Sequence, residues 1–259
     1  MITTITTADS GRILFNGEPL SGKHPERIGY MPEERGLYKQ MTVGEQLLYL
    51  GQLKGLTAAQ ARVEIRYWFK KFDIMPWWDK KVEELSKGMQ QKAQFIATVL
   101  HRPELLILDE PFSGLDPLNA NLIKDEIYEL HRNGTSIIFS THRMEQVDEI
   151  CNRIVLIDKG RNVLEGEVAE VKNRFKQNIF NVSFKGELPE NLAQDLNTAQ
   201  LAAIQQQKKQ KMTLKLADTI KNNDILQFLI HKKVEITEFH EILPSLNEIF
   251  INEVEKNKN

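Results

Sequence analysis

Apolar and polar positions follow a strand–helix order along the first two thirds of the chain. Short apolar runs predict strands at residues 12–17, 27–31, 105–109 and 136–141, and a hairpin at 153–166. The run LLILD at 105–109 is apolar up to its last position, which is typical of a strand buried on both faces. The run SIIFST at 136–141 predicts a second buried strand.

Amphipathic segments separate these strands, and each begins with a helix-capping signal. Thr42 and Thr57 are each followed three residues later by Glu or Gln, which is the spacing of a capping box. Ser86 precedes a helix predicted to run to about residue 100. Asp116, with proline next, predicts a helix that ends near Gly134. This alternation predicts an α/β fold whose sheet binds ligands at the carboxyl ends of its strands.

The composition changes once, and we place a domain boundary near residues 170–178. Thirteen of the 14 glycines lie at or before Gly166. We therefore assign residues 1–175 to an α/β domain and residues 176–259 to a small α+β domain. The low-complexity segment 201–210 is predicted to be a solvated helix face or loop. The elements predicted in the second domain are strands at 181–184, 212–217 and 234–242 and helices at 222–233 and 244–256.

Composition limits the class of protein. Of the 259 residues, 41% are hydrophobic and 27% charged, which is ordinary for a globular protein. The net charge of −2 gives no support for nucleic acid or an anionic membrane as a partner. A single cysteine, Cys151, excludes an internal disulfide framework and a cysteine-based zinc cluster. The chain has neither a long apolar run nor a signal-peptide pattern, so we expect a soluble, cytoplasmic protein.

Two carboxylates, Asp109 and Glu110, directly follow the apolar run at 105–108. An acidic pair at a strand end is costly unless a cation or a reaction uses it. In nucleotide hydrolases the first carboxylate holds Mg²⁺ and the second polarises the attacking water. His142, at the end of the next apolar strand, can hydrogen-bond a phosphate or that water. Taken singly, each of these residues is equally well explained as a structural turn residue.

A second set of candidates surrounds the start of the helix at Ser86. Ser86 and Gly88 lie in the string LSKGMQQK, where free N–H groups and the positive helix end attract anions. Gly88 lets a phosphate approach the backbone closely. Taken alone, however, Ser86 is better explained as an ordinary helix cap. Two further candidates are Asp116, in SGLDP, and Glu33, which follows the short strand in IGYMPEE.

In this order the motifs resemble the nucleotide-binding subunit of an ATP-binding cassette (ABC) transporter, over about residues 10–172. LSKGMQQK resembles the signature motif, LLILDE the Walker B motif, SGLD the D-loop, STH the switch histidine and GYMPE the Q-loop. Residues after 178 resemble the extra C-terminal domain of exporter ATPases of the sodium-efflux and drug-efflux type.

The resemblance implies an ATPase that forms a head-to-tail dimer with two ATP molecules in its interface. Each ATP would lie between the Walker motifs of one subunit and the signature helix of the other. The implied partners are membrane-spanning permease subunits and a second ATP-binding subunit, and no nucleic acid. The protein would lie at the cytoplasmic face of the membrane. The implied roles are catalysis for Glu110 and His142, ATP binding for Ser86, Lys87, Gly88, Asp116 and Glu33, and Mg²⁺ binding for Asp109 and Glu33.

The largest departure from the family pattern is that the chain contains no phosphate loop, G-x-x-x-x-G-K-[ST]. The nearest string, around Gly22 and Lys23, lacks the first glycine and the final hydroxyl residue. In the family this loop precedes a helix that leads into a segment like residues 5–17. We therefore expect an N-terminally truncated cassette that is hydrolysis-deficient by itself. Smaller departures are Glu33 in place of the usual Q-loop glutamine, and Lys87 and Met89 in place of glycine and glutamine.

Two alternatives remain open. The chain can be a genuinely degenerate subunit or interaction module that does not hydrolyse ATP. It can also be a soluble ABC ATPase that acts on ribosomes or DNA. Proteins of that kind usually carry two cassettes or long coiled-coil insertions, and the sequence contains neither.

Overall fold

The computed structural model describes residues 1–34 and 36–256. The chain divides into two compact units between His142 and Arg143, and each unit is described by itself. The domain boundary at 175/176 stays a prediction from composition. The elements of the first unit are β1 (Leu14–Phe15), β2 (Glu18–Pro19), β3 (Ile28–Met31), α1 (Val43–Leu53), α2 (Ala58–Lys71), α3 (Lys87–Val99), β4 (Leu105–Asp109), α4 (Pro117–Arg132) and β5 (Ser136–Ser140). Short 3₁₀ helices occur at His24–Arg27, Met75–Trp77 and Val82–Glu84.

The main sheet of the first unit is parallel, with β4 between β3 and β5. Leu106 and Leu108 of β4 are fully buried, whereas Leu105 and Ile107 on the opposite face are partly buried, so the predicted burial on both faces is confirmed for one face only. The predicted burial of the strand at 136–141 is wrong, because Ile138 of β5 is 45% exposed. Among the described residues, β5 pairs only with β4.

The helices of the first unit begin where the capping signals predict. The side chains of Thr42 and Thr57 each accept a hydrogen bond from the amide three residues later, and the reciprocal side-chain bond closes both capping boxes. Ser86 caps α3 and Asp116 caps α4. These local interactions satisfy the free N–H groups of the first helical turn, so short sequence patterns are sufficient to predict them.

Close packing of β3 against α3 depends on a glycine. A Cβ atom added to Gly29 would lie 2.5 Å from the carbonyl oxygen of Thr98 on α3, a distance that forces the backbone apart. The helical layer beside it is built on large apolar side chains. The fully buried ones include Leu47, Ile65, Phe69, Phe95 and Ile96.

The second unit contains a hairpin, a four-stranded sheet and five helices among its described residues. Its elements are α5 (Met144–Ile150), β6 (Arg153–Asp158), β7 (Arg161–Glu167), α6 (Val168–Arg174), β8 (Ile179–Lys185), α7 (Leu192–Thr198), β9 (Ala202–Lys208), β10 (Lys211–Leu216), α8 (Asn222–His231), β11 (Glu235–Ile242) and α9 (Leu246–Lys256). The predicted hairpin is confirmed, since β6 pairs antiparallel with β7. The sheet has the order β11–β8–β10–β9 and the connectivity of a split βαβ unit.

The predicted α+β character of the C-terminal region is confirmed, but one of its segments is assigned wrongly. Residues 202–208, in the low-complexity segment, form strand β9 rather than a helix face or loop. Ala202 is buried and Ile204 packs against the apolar core of the sheet, while the glutamines that follow are exposed. Pairing with β10 at the edge of the sheet therefore stabilises a strand that its own composition does not predict.

No helix in the described part of the chain is long and apolar enough to cross a membrane.

His101, in the first unit, is a partly buried base whose two ring nitrogens are shielded from solvent and lie in the field of a cation. Neither ring nitrogen has a hydrogen-bond partner of good geometry among the described residues. Burial, reinforced by the charge of Lys54, lowers the pKa of His101 from 6.5 to about 4. Between these two pH values the unfolded chain therefore binds a proton that the folded unit rejects, and stability falls as the pH falls.

We expect the His101→Gln variant to lose less stability than the wild type between pH 7 and about pH 4.5, by about 2 kcal/mol. Guanidinium unfolding followed by tryptophan fluorescence measures this difference in the first unit alone. All three tryptophans, Trp68, Trp77 and Trp78, lie there. His231→Gln, at an exposed position in the second unit, is the control and should follow the wild type. Equal losses in wild type and His101→Gln would contradict the burial argument.

Candidate functional site

Asp109 is the last residue of β4 and lies opposite Ser140, the last residue of β5. Ser140 Oγ donates a hydrogen bond of 2.7 Å to Asp109 Oδ1. Because the strands are parallel, the residues that follow β3, β4 and β5 emerge at one edge of the sheet. The Asp109 carboxylate is thereby held at the position where such sheets bind ligands.

Glu110 has a left-handed backbone conformation, with φ of 47°. Its amide donates to the carbonyl of Ser140 at 2.9 Å, and its carbonyl accepts from the amide of Ser113 at 3.0 Å. A non-glycine residue in this region costs on the order of 1 kcal/mol and persists only where the surroundings impose it. The pairing with Ser140 and the turn to Ser113 impose it here.

Three groups from the segment after β5 contact the Glu110 carboxylate: a hydroxyl, a backbone amide and an imidazole nitrogen. Thr141 Oγ1 donates at 3.1 Å, the amide of His142 at 2.7 Å, and His142 Nδ1 lies 2.7 Å from the same carboxylate oxygen. The Glu110 side chain is 12% exposed and the His142 side chain 79% exposed. The structure therefore brings Asp109, Glu110 and His142 together, with Glu110 inside the cluster and the imidazole at its surface.

The first turn of α3 carries Ser86, Lys87 and Gly88. Ser86 Oγ accepts from the amide of Met89 at 3.3 Å, which is the predicted N-cap. A Cβ atom added to Gly88 would lie 3.6 Å from the carbonyl oxygen of Gly114, so this turn packs against the loop that follows Glu110. Ser86 and Lys87 are exposed. The N-terminus of α3 therefore presents a hydroxyl, a cation and the positive end of the helix to solvent.

Asp116 and Glu33 lie outside the cluster around Glu110. Asp116 caps α4: its Oδ1 accepts from the amides of Leu118 and Asn119, each at 3.1 Å. Bonds from Asn119, with a smaller effect from Leu118, lower the pKa of Asp116. Glu33 is exposed, two residues after the end of β3. Glu33 and Asp109 lie at the same edge of the sheet. Among the hydrogen bonds of residues 1–34 and 36–256, none joins the two side chains.

Sequence reasoning missed four residues that support this site. Ser140 and Thr141 bind the two carboxylates, and their position at the end of an apolar strand was an available signal. Gln91 and Gln94 of α3 are buried and bind carbonyls beside Glu110 and Glu33. Two amides three residues apart on the apolar face of an amphipathic helix could have identified them.

The candidate metal ligands suit Mg²⁺, which keeps water and phosphate ligands, better than a metal that is bound by protein side chains alone. In the described part of the chain, no three His, Cys, Asp or Glu side chains converge on one point. Mg²⁺ is commonly held by one or two carboxylates together with water and substrate phosphates. Asp109, positioned by a hydroxyl at a ligand-binding edge, fits that pattern.

Comparisons with known proteins agree with this arrangement. The family model described as "ABC transporter" matches residues 1–113, and "ATP-binding protein DrrA1-3-like, C-terminal domain" matches residues 166–254. The uncharacterized ABC transporter ATP-binding protein YhaQ of Bacillus subtilis (strain 168) is 43% identical over 258 residues, which cover 98% of this chain and 83% of YhaQ.

Two more distant relatives add to the comparison. The Nod factor export ATP-binding protein I of Cupriavidus metallidurans is 32% identical over 174 residues, which are 66% of this chain and 57% of that protein. A solved structure of an ATP-binding subunit of an ABC transporter is 28% identical with a TM-score of 0.62, over 67% of this chain and 74% of its own. The chain belongs to the family of ABC transporter ATP-binding proteins and has a DrrA-like C-terminal domain. The resemblance predicted from the motifs and the predicted cassette fold are confirmed.

The left-handed conformation of Glu110 leads to a stability prediction that requires no nucleotide. Both Glu110→Gly and Glu110→Ala remove the carboxylate and its hydrogen bonds, but only glycine adopts this conformation without strain. We expect Glu110→Gly to be more stable than Glu110→Ala by about 1 kcal/mol, measured by urea unfolding with tryptophan fluorescence. The same pair at Glu129, within α4, should reverse in order, because glycine destabilises helix interiors. Equal stability of the two Glu110 variants would mean that the backbone there is unstrained.

Proposed function

We propose that this chain is the ATP-binding subunit of an ABC exporter and couples ATP binding and hydrolysis to transport by separate membrane subunits. The observation that carries the proposal is the cluster of Asp109, Glu110 and His142 at the carboxyl ends of β4 and β5. A carboxylate for a metal, a second carboxylate for a water and an imidazole beside them are the groups that phosphoryl transfer to water requires. Membership of the ABC family supports the same reaction.

Glu110 acts as the general base and His142 as its partner in this proposal. In the structure the backbone amide and the ring of His142 both contact one oxygen, Oε1, of the Glu110 carboxylate. When a nucleotide binds, the ring turns to the γ-phosphate, and one Glu110 oxygen becomes available to the attacking water. Thr141 and the amide of His142 keep the carboxylate oriented during this exchange. Asp109 and Glu33 would hold Mg²⁺, which supplies positive charge to the phosphates.

A second copy or a related subunit completes each site in trans. Ser86 and Lys87 are exposed at the N-terminus of α3, and a helix N-terminus binds anions through its free N–H groups and its dipole. The exposed turn therefore suits the γ-phosphate of an ATP held mainly by a partner in a head-to-tail dimer. Asp116 is exposed at the start of α4, and its loop would lie at the same dimer interface as the turn of α3.

Membrane-spanning permease subunits are the proposed transport partners. Tyr38 and Tyr49, which follow the Q-loop region, are 54% and 42% exposed, and their rings meet edge to face with centroids 6.1 Å apart. Exposed aromatic pairs are enriched at protein interfaces. The subunit would thus lie at the inner face of the cell membrane, attached through the permease. The name of the Nod factor relative supports export as the direction.

The chain of residues 1–259 contains no phosphate loop, and we propose that it does not hydrolyse ATP by itself. The amides, lysine and hydroxyl of that loop normally hold the phosphates and the metal. The same observation supports the second candidate, a non-hydrolysing subunit that contributes only its signature helix to a partner. Binding measurements with and without an added loop separate the two.

We expect residues 1–259 to show no calorimetric binding of Mg-ATP at concentrations that saturate a loop fusion, in which the phosphate-loop segment of a related ABC ATP-binding protein is joined ahead of Met1. In the loop fusion, Glu110→Gln should slow hydrolysis at least about 100-fold and retain an ATP-bound dimer on size exclusion, because the base is lost while binding remains. Micromolar binding by residues 1–259 would contradict the proposal that this chain does not hold ATP without a phosphate loop. Unchanged turnover of Glu110→Gln would remove Glu110 from the role of base.

Ser86→Asp in the loop fusion tests the contribution in trans. Aspartate caps a helix as well as serine does, so stability should change by less than about 0.5 kcal/mol. Its negative charge, however, opposes the γ-phosphate of the partner's ATP. We expect hydrolysis to be lost while calorimetric ATP binding to the same chain is kept. Ser86→Thr, which retains both cap and hydroxyl, is the control and should hydrolyse ATP. Loss of ATP binding by Ser86→Asp would contradict the assignment in trans.

A further inference from the structure

Two buried glutamines of α3 connect this helix to the loops that carry the candidate catalytic carboxylates. Gln91 is 1% exposed and Gln94 is 4% exposed. Their spacing of three residues places both on one face of the helix. Gln91 Nε2 donates to the carbonyl oxygen of Pro111 at 2.9 Å, and Gln94 Nε2 donates to that of Pro32 at 2.8 Å.

The two acceptors flank the candidate site. Pro32 directly precedes Glu33, and Pro111 directly follows Glu110. Prolines have no N–H and cannot be anchored by donating a backbone hydrogen bond, so a donor aimed at the carbonyl is the available way to hold these peptides. The same helix begins at Ser86 and Gly88. One face of α3 therefore holds the residues beside Glu33 and Glu110, while its N-terminus presents the anion-binding turn.

The buried geometry of Gln94 indicates that its amide serves to hold a position rather than to stabilise the fold. Within the described residues Gln94 Oε1 is buried without a hydrogen-bond partner. A buried unsatisfied acceptor is unfavourable, and an apolar side chain of the same length would avoid it. Rotating the amide would not help, since the oxygen would then face the Pro32 carbonyl. The approach of Gly29 to Thr98 holds β3 against the next turn of the same helix.

We propose that Gln91 and Gln94 are positioning residues that set the places of Glu110 and Glu33 relative to the anion-binding turn of α3. Through them, binding of the partner's ATP at Ser86 and Gly88 would be coupled to the positions of Glu110 and Glu33, which act on the ATP held by the same chain. The proposal rests on the proposed function only for its catalytic consequence. We call the two hydrogen bonds from Gln91 and Gln94 to the proline carbonyls the clamp. The clamp is a property of the chain and can be measured without nucleotide.

The two hydrogen bonds can be observed separately because of the sequence around the prolines. Labelling with proline ¹³C′ and phenylalanine ¹⁵N reports the single Pro–Phe step of the chain, Pro111–Phe112. Labelling with proline ¹³C′ and glutamate ¹⁵N reports the Pro–Glu steps, of which Pro32–Glu33 is one. The others begin at Pro25, Pro103 and Pro189 and serve as internal references.

In residues 1–259 we expect Gln94→Met to move the Pro32 carbonyl resonance upfield and to leave the Pro111 resonance in place. Gln91→Met should do the reverse. Gln90→Met is the matched control, because Gln90 Nε2 donates to Leu85 and Val82 at 3.0 and 3.3 Å and to neither proline. Unchanged carbonyl shifts, or shifts that move together in every variant, would overturn the clamp.

The catalytic consequence is measured in the loop fusion. Gln91→Met and Gln94→Met should each lower kcat at least about 5-fold, the equivalent of one lost hydrogen bond, with the KM for ATP unchanged. Ile96→Met, a volume-conserving change on the same helix, should leave kcat within about 2-fold and controls for general loosening of α3. A wild-type kcat in both glutamine variants would overturn the positioning role. A loop fusion that binds no ATP would instead overturn the proposed function, and the carbonyl shifts would still decide the clamp.

Discussion

Parallel hydrogen bonding of β4 with β3 and β5 is the interaction on which the candidate site depends. The register pairs Asp109 with Ser140 and ends β3 one residue before Pro32. This alignment brings the segments after all three strands to one edge of the sheet. A shift of β5 by one residue would remove the serine hydroxyl from Asp109 and would turn Thr141 away from Glu110, because alternate residues of a strand lie on opposite faces.

The strained backbone of Glu110 follows from the same register. Its amide binds the carbonyl of Ser140, which ends the strand, and the chain must then turn sharply toward α4. The left-handed conformation directs the carboxylate to the segment after β5, where Thr141 and His142 hold it. Backbone strain of this kind is a common feature of functional sites, which agrees with the proposed role of Glu110. The energy that holds it comes from the sheet and from the surrounding hydrogen bonds.

Helix α3 adds a second constraint, because it contacts the site from its side and exposes its own N-terminus. Its glutamines bind the peptides next to Glu33 and Glu110, and Gly29 lets β3 pack directly on it. The helix therefore joins its exposed N-terminal turn, the candidate anion site, to the loops of the sheet through short, buried contacts. This connection explains why polar side chains occur on a face that otherwise packs in the core.

Local sequence signals were sufficient to predict the helix starts of the first unit, the strands β3, β4 and β5, the β6–β7 hairpin, and the strands β8, β10 and β11 and helices α8 and α9 of the second unit, but not helices α5, α6 and α7. Capping boxes, the Asp116–Pro117 start and continuous apolar runs depend on neighbouring residues and need no tertiary information. The identity and order of the motifs around Ser86, Asp109 and His142 likewise indicate the family from local pattern alone. Strand β9 was missed, because its glutamines form a strand only through pairing with β10.

Only the tertiary structure decided which residues meet. Pairing across the sheet joins Ser140 to Asp109 and Thr141 to Glu110, residues about thirty positions apart in the chain. The exposed face of β5 and the left-handed backbone of Glu110 also depend on what packs around them. Sequence therefore determined the elements, the motifs and the family, because these arise from local pattern. Packing determined the orientation of the carboxylates and their link to α3, because hydrogen bonds between distant segments require the folded chain.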